Sequence, residues 1–277
     1  MSLQTLIDAA TVRDWLAQDR SVLILDCRAR LGDADAGRRL WRESRLPGSR
    51  HLDLEADLSD PAGEGGRHPL PDPGRFTATL HRLGITPAVP VIVYDDAGGQ
   101  LAAARAWWLL HVWAGHPDVR VLDGGIAAWQ EAGGVLESRE PDLPGSPSGW
   151  SPAFDDTAWI DADAVAKGEL ALVDARARER YRGEVEPIDP VAGHIPGAVC
   201  RPSAANLDAE GRFKSPAELE AELPRGASVV CYCGSGVTAC HDILAYAIAG
   251  RALPKLYAGS WSHWIRDPAR PVATGES

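Results

Sequence analysis

The chain has 277 residues, with 28 Lys plus Arg against 39 Asp plus Glu and a formal net charge of −11. Phosphate is repelled by most of such a surface, which argues against nucleic acid or an anionic membrane as partner and leaves a small anionic substrate needing a local basic pocket. There is no long apolar run, and the N-terminus lacks the basic start, apolar core and small-residue cleavage site of an export signal, so a cytoplasmic location is expected.

In chain order, Leu23-Ile24-Leu25 reads as a buried strand ending at Asp26 and followed by Cys27-Arg28-Ala29-Arg30. A Pro-Gly turn at Leu46-Pro47-Gly48 predicts a further apolar strand. Val91-Ile92-Val93-Tyr94 predicts a strand ending at Asp95, residues 102–112 a helix, and Val121-Leu122-Asp123-Gly124-Gly125 a short strand and turn leading to Trp129. Residues 138–152 are rich in Pro, Ser and Gly without apolar periodicity and read as a linker.

The same order then repeats. Leu172-Val173-Asp174 is followed by Ala175-Arg176-Ala177-Arg178, and His194-Ile195-Pro196-Gly197 by Ala198-Val199. Val229-Val230-Cys231-Tyr232 precedes a helix ending near Ala249, and Leu256-Tyr257-Ala258-Gly259-Ser260 leads to Trp264. Strands alternating with helices, with near-continuous apolar runs in the strands, predict an α/β fold: two tandem domains, each a mainly parallel central sheet flanked by helices. The expected boundaries are 1–137 and 153–277.

The halves differ at one decisive position, where Asp95 stands against Cys233. Only the second half can then be a thiol enzyme, and the first is expected to be inactive and to form one wall of a substrate cleft. Cys233 opens the run Gly234-Ser235-Gly236-Val237-Thr238-Ala239 between a strand and a helix. Loop amides and the positive end of the helix dipole favour a thiolate there, and the glycines let successive N–H groups face one centre.

Five cysteines in a chain this long do not form a disulfide framework. Cys27 and Cys200 read as apolar fillers, Cys240 as core-facing in the first helical turn, and Cys231 as lying on the same side of the strand as Cys233. The tryptophans, Trp107, Trp108 and Trp113 among them, read as packing. A phosphatase loop would end in arginine, whereas this one continues Cys240-His241. Cys231 and Cys233 lack a second ligand pair for zinc, so no metal is implied, and no glycine-rich nucleotide motif calls for a cofactor.

Taken together, the duplication, Gly193-His194-Ile195-Pro196-Gly197-Ala198, the loop from Cys233 to Cys240 and Tyr257-Ala258-Gly259-Ser260-Trp261 resemble the tandem rhodanese-type sulfurtransferases. Within these the chain is most similar to the 3-mercaptopyruvate sulfurtransferases, since the thiosulfate enzymes typically place Arg-Lys after the cysteine. The resemblance implies two rhodanese-like domains and transfer of a sulfane sulfur through a Cys233 persulfide to cyanide, a small thiol or thioredoxin. Thiosulfate as donor, and persulfide delivery to a protein partner, are the alternatives.

The resemblance also implies the site. Cys233 is the nucleophile, and Ser235, His68 and Glu55 assist it. Arg180 grips the donor's anionic group, and Gly234, Gly236, Val237, Thr238 and Ala239 line the substrate and persulfide. Two positions depart from the family pattern: Glu55 stands where an aspartate is usual, with Asp53 nearby, and Glu186-Pro187 is followed by Ile188-Asp189 where a second carboxylate-binding arginine is common.

Overall fold

The computed structural model describes residues 5–138, 148–168 and 170–276; most of the expected linker, residues 139–147, lies outside the described residues. The residues group into two units. Unit 1 comprises Met1–Asp60, Pro71–Asp155 and Ala209–Phe213, and unit 2 comprises Pro61–Leu70, Asp156–Asp208 and Lys214–Ser277.

Unit 1 runs β1 (Leu6–Ile7), α1 (Ala9–Ala17), β2 (Leu23–Asp26), α2 (Ala36–Glu43), β3 (Arg50–His51), α3 (Pro73–Arg82), β4 (Val91–Tyr94), α4 (Ala102–Trp107), β5 (Val119–Leu122) and α5 (Gly125–Glu131). Its strands pair in the order β1-β5-β4-β2-β3, all parallel. Unit 2 repeats the plan with β6 (Trp159–Ile160), α6 (Ala162–Ala166), β7 (Ala171–Asp174), α7 (Arg178–Arg182), β8 (Val199–Cys200), α8 (Pro216–Glu222), β9 (Val229–Tyr232), α9 (Ala239–Ile248), β10 (Lys255–Tyr257) and α10 (Ser260–Trp264). Its order is β6-β10-β9-β7-β8, again all parallel.

The central strands β2, β4, β7 and β9 are nearly all apolar because helices cover both faces of a parallel sheet. In unit 2, Leu172, Val230, Tyr232, Tyr257, Trp261 and Trp264 share one buried cluster. Complete burial of side chains this large contributes about 1.5–3 kcal/mol each.

The repeated acid-arginine segments are structural. Arg28 donates Nε and Nη2 to the Asp26 carboxylate at 3.0 and 2.6 Å, and Tyr94 Oη donates to the same carboxylate at 2.6 Å. Arg176 makes the equivalent pair with Asp174 at 3.0 and 2.6 Å. Tyr94 and Tyr232 lie opposite these acids in the strand register, and their hydroxyls accept from Leu46 and Ile195, the residues that enter the Pro-Gly turns. Each charge is buried but paired and further hydrogen-bonded, the condition under which a buried ion pair is tolerated.

Two expectations change. The strands after the Pro-Gly turns are short edge strands rather than apolar ones: β3 is Arg50–His51, and Val199 of β8 is 54% exposed. A short edge limits unwanted pairing. The helix expected over 102–112 is α-helical only to Trp107, and Trp108–Trp113 forms a π-helical segment; Trp107, at the junction, and Trp108 and Trp113 are all buried. No helix among the described residues is long and apolar enough to cross a membrane.

Candidate active site

Cys233 is the first residue beyond β9, at the point where the parallel strand ends and the chain turns toward α9. It is 1% exposed, and its Sγ accepts the N–H of Gly236 at 3.1 Å. Gly236 has φ +79°, and a Cβ there would lie 2.3 Å from the carbonyl oxygen of Ala258, so both conformation and space demand glycine. The amides of Val237, Thr238 and Ala239, at the entry to α9, make no hydrogen bond to protein among the described residues. They stand at the positive end of the helix.

The turn between β10 and α10 holds this loop from the other side. Cys233 N–H donates to Ser260 Oγ at 3.1 Å, Trp261 N–H to the Cys233 carbonyl at 3.0 Å, and Ser262 N–H to the Gly234 carbonyl at 2.9 Å. Ser260 adopts φ +53°, a left-handed conformation costly for a residue with a Cβ. Gly125, which follows β5 in unit 1, has φ +58°. Serine is thus placed in a glycine conformation where its hydroxyl accepts the Cys233 amide.

The same turn anchors His68. Arg67 N–H donates to Ser262 Oγ at 3.1 Å, and a Cβ on Gly66 (φ +107°) would meet Gly259 O and Ser262 Oγ at 2.9 Å each. Segment Pro61–Leu70 therefore seats against Gly259–Ser262. His68, 4% exposed, brings Nδ1 to 2.7 Å from Ser235 Oγ. Cys233, Ser235 and His68 are brought together, although His68 is 165 residues earlier in the chain than Cys233.

Arg180, on α7, is held by Glu186 through Nε and Nη2 at 3.1 and 2.7 Å and by Asp189 through Nη2 at 3.2 Å. Burial would raise the Glu186 carboxyl, but hydrogen bonds from Arg180 and from the amides of Asp189 and Ile188 outweigh it and hold the carboxyl below its ordinary range. Asp189 goes the other way: burial lifts its carboxyl, and the charges of Arg67 and Arg180 only partly offset the effect. A Cβ on Gly234 would lie 3.5 Å from both terminal nitrogens of Arg180, which places the guanidinium beside the Cys233 loop.

Glu55 belongs to unit 1, where it is exposed and its amide donates to Asp53 Oδ1 at 2.9 Å. Asp53 is engaged locally, its Oδ2 lying 3.2 Å from His51 Nε2. The position of Asp95 mirrors that of Cys233, immediately after β4, and its carboxylate accepts the amides of Ala97, Gly99 and Ala103 at 2.9, 2.8 and 3.3 Å. In unit 1 the loop amides therefore close on the protein's own carboxylate.

All five cysteines are free. Burial pushes the thiols of Cys27 and Cys231 well above the usual range and that of Cys200 to about 11. Cys240 donates its thiol to the Gly236 carbonyl at 3.4 Å. Sequence reasoning passed over Ser260, Ser262 and Arg67. The first two lie in or next to the Gly-Ser-Trp motif, but nothing in a sequence marks one serine hydroxyl as the acceptor for another loop's amide.

A thiol in an amide-lined loop, repeated once with the thiol replaced, matches a known pattern across the chain: the rhodanese-like domain fits residues 8–132 and again 158–267. The chain belongs to the rhodanese family. A Pseudomonas aeruginosa member of the family, named a probable 3-mercaptopyruvate sulfurtransferase, is 50% identical over 100% of both chains. One from Mycobacterium tuberculosis, provisionally named thiosulfate sulfurtransferase SseB, is 42% identical over 98% of each. The crystal structure of Escherichia coli SseA, described among the 3-mercaptopyruvate sulfotransferases, superposes with a TM-score of 0.78 at 33% identity, covering 94% of this chain and 99% of that one. The fold of this protein is accordingly two rhodanese-like domains in tandem.

Proposed function

We propose that this rhodanese-family protein is a 3-mercaptopyruvate sulfurtransferase with Cys233 as nucleophile. The observation that carries the reading is that the Cys233 sulfur accepts the Gly236 amide at 3.1 Å while Ser235, in the same loop, pairs with His68 at 2.7 Å. A buried nucleophile flanked by an acid-base pair and anion-stabilising amides is the arrangement that covalent group transfer requires.

In the first half-reaction the Cys233 thiolate attacks the donor's sulfur. The C3–S bond breaks, and its electron pair passes to C3 as the enolate of pyruvate. The proton lost from the donor thiol returns to C3 through Ser235 and His68, giving pyruvate and a Cys233 persulfide. The outer sulfur faces the Gly236 amide and the open amides of Val237, Thr238 and Ala239. In the second half-reaction an acceptor attacks that outer sulfur, the S–S bond breaks, and the electron pair returns to Cys233. Cyanide leaves as thiocyanate, a small thiol as a persulfide, and reduced thioredoxin would carry the sulfur as a persulfide that its second thiol resolves. Glu55 is assigned an assisting role by the family pattern alone. Free thiols throughout the chain fit a reducing, cytoplasmic setting.

Thiosulfate is the second reading, favoured by the Mycobacterium tuberculosis relative's name and by the two guanidiniums, of Arg67 and Arg180, beside Gly234. Steady-state kcat/KM for both donors, with cyanide as common acceptor, separates the two. A preference for mercaptopyruvate of tenfold or more, about 1.4 kcal/mol in transition-state binding, is expected. Preference for thiosulfate reverses the assignment, and sulfur transfer by Cys233→Ser removes Cys233 from the mechanism altogether.

A further inference from the structure

Arg67 has no role in the chemistry above, yet it is placed where a substrate anion would be held. A Cβ built on Gly234 would lie 2.8 Å from Arg67 Nη2, closer than to either terminal nitrogen of Arg180 at 3.5 Å. Two guanidiniums therefore flank the backbone of the residue that follows the nucleophile. Several of their other donors are committed. Arg67 Nη1 pairs with one oxygen of Asp189, and Arg180 Nη2 pairs with the other at 3.2 Å, while Glu186 takes Arg180 Nε and Nη2. Arg67 Nη2 and Arg180 Nη1 are left without a protein acceptor among the described residues, and both lie beside Gly234. Arg67 is 27% and Arg180 18% exposed at the side chain, so an entering ligand can reach them.

Asp189 sets the geometry. Its side chain is 4% exposed, and its two oxygens bridge the two arginines, which fixes the distance between the guanidiniums before any ligand arrives. Ile188, the neighbouring residue, is apolar and 46% exposed and supplies no charge. The backbone anchor of Arg67 on Ser262 Oγ at 3.1 Å ties the guanidinium to the same turn that holds Cys233. Planar guanidiniums with paired N–H groups match the two oxygens of a carboxylate, and each charge-assisted bond adds both affinity and orientation.

We infer that Arg67 is a substrate-binding residue, which together with Arg180 forms a two-guanidinium clamp over Gly234 for the carboxylate of the sulfur donor. This deepens the mercaptopyruvate reading and rests on it. The clamp binds the carboxylate end while the sulfur end meets Cys233. It is built from a residue of the early segment Pro61–Leu70 rather than from the stretch following Glu186.

The test measures KM and kcat for mercaptopyruvate, KM for thiosulfate and the competitive inhibition constant of pyruvate, which carries the same carboxylate and no sulfur. Wild type, Arg67→Met and Arg67→Lys are compared. In Arg67→Met, KM for mercaptopyruvate and the pyruvate constant should both rise at least about tenfold, with kcat changed far less, and Arg67→Lys should recover part of the loss. A merely structural Arg67 would lower kcat by disturbing His68 and leave the pyruvate constant unmoved, which overturns the inference. An effect confined to thiosulfate overturns it too. If Arg67→Met does not fold, Arg67→Lys, which keeps a charge for Asp189 but loses the planar fork, is judged by the same rise in both constants. Wild-type enzyme inert toward mercaptopyruvate would instead defeat the functional reading, so the two failures are distinguishable.

Discussion

His68 Nδ1 lies 2.7 Å from Ser235 Oγ, two residues beyond Cys233, and both side chains are buried. Groups this close act as one unit, so their removal should not be additive. Ser235→Ala and His68→Asn are each expected to lower kcat with mercaptopyruvate by about 10²-fold, the scale of general acid-base assistance. The double variant should be no worse than the poorer single one. Losses that multiply in the double variant would mean that the two residues act independently and that no proton passes between them.

Ser260 holds a strained backbone so that its hydroxyl can accept the Cys233 amide. Ser260→Gly removes the strain, worth about 1–2 kcal/mol, but also the hydrogen bond and some of the chain's stiffness, each worth about 1 kcal/mol. Stability should therefore stay within about 1 kcal/mol while kcat falls roughly tenfold, because the nucleophile's backbone is no longer pinned. Thermal unfolding alongside single-turnover persulfide formation reads both quantities. Unaltered persulfide formation would leave Ser260 as packing only.

Asp95 fills in unit 1 the position that Cys233 fills in unit 2, and three amides, two of them buried, depend on it. Burial pushes its carboxyl up, against those amides. Asp95→Ala strands the three donors and is expected to cost about 2–4 kcal/mol of stability, whereas Asp95→Asn keeps an acceptor and should cost clearly less. Urea denaturation compares them. Equal losses would show that the carbonyl geometry, and not mere acceptor chemistry, is what the loop needs.

What could be read in the sequence was what repeats or stays local. The Asp26 and Asp174 strands, the Asp95–Cys233 exchange and the loop to Ala239 are short-range patterns, and the parallel sheets follow from their apolar runs. The packing of Pro61–Leu70 with unit 2 could not be read. The segment is a loop of Gly, Pro and charged residues without periodicity, and its attachment runs through Gly66 and Ser262, nearly 200 positions apart. For the same reason Arg67 looked like a mere neighbour of His68. The π turn at Trp108–Trp113 was hidden because a largely apolar helical pattern does not distinguish i+4 from i+5 bonding.

A further buried acid makes stability depend on pH. Asp242, on α9, is fully buried and accepts Asn206 Nδ2 at 2.7 Å through Oδ1, while Oδ2 has no hydrogen-bond partner among the described residues. Burial raises its carboxyl to about 7, with Asn206 and the charge of Arg201 offsetting only part of the effect. His241 Nδ1 lies 3.1 Å from the same Asn206 nitrogen. Because the folded protein binds this proton more tightly than the unfolded chain does, the stability that it contributes is complete below about pH 4. It falls as pH rises toward 7, at up to about 1.4 kcal/mol per pH unit, and is gone above that. Asp242→Asn, neutral throughout and of the same shape, should be close to wild type near pH 4.5 and more stable by a margin that widens up to pH 7 and then levels. Denaturation midpoints across pH 4.5–8.5 test this, and parallel profiles for the two proteins would mean that Asp242 is already charged in the fold.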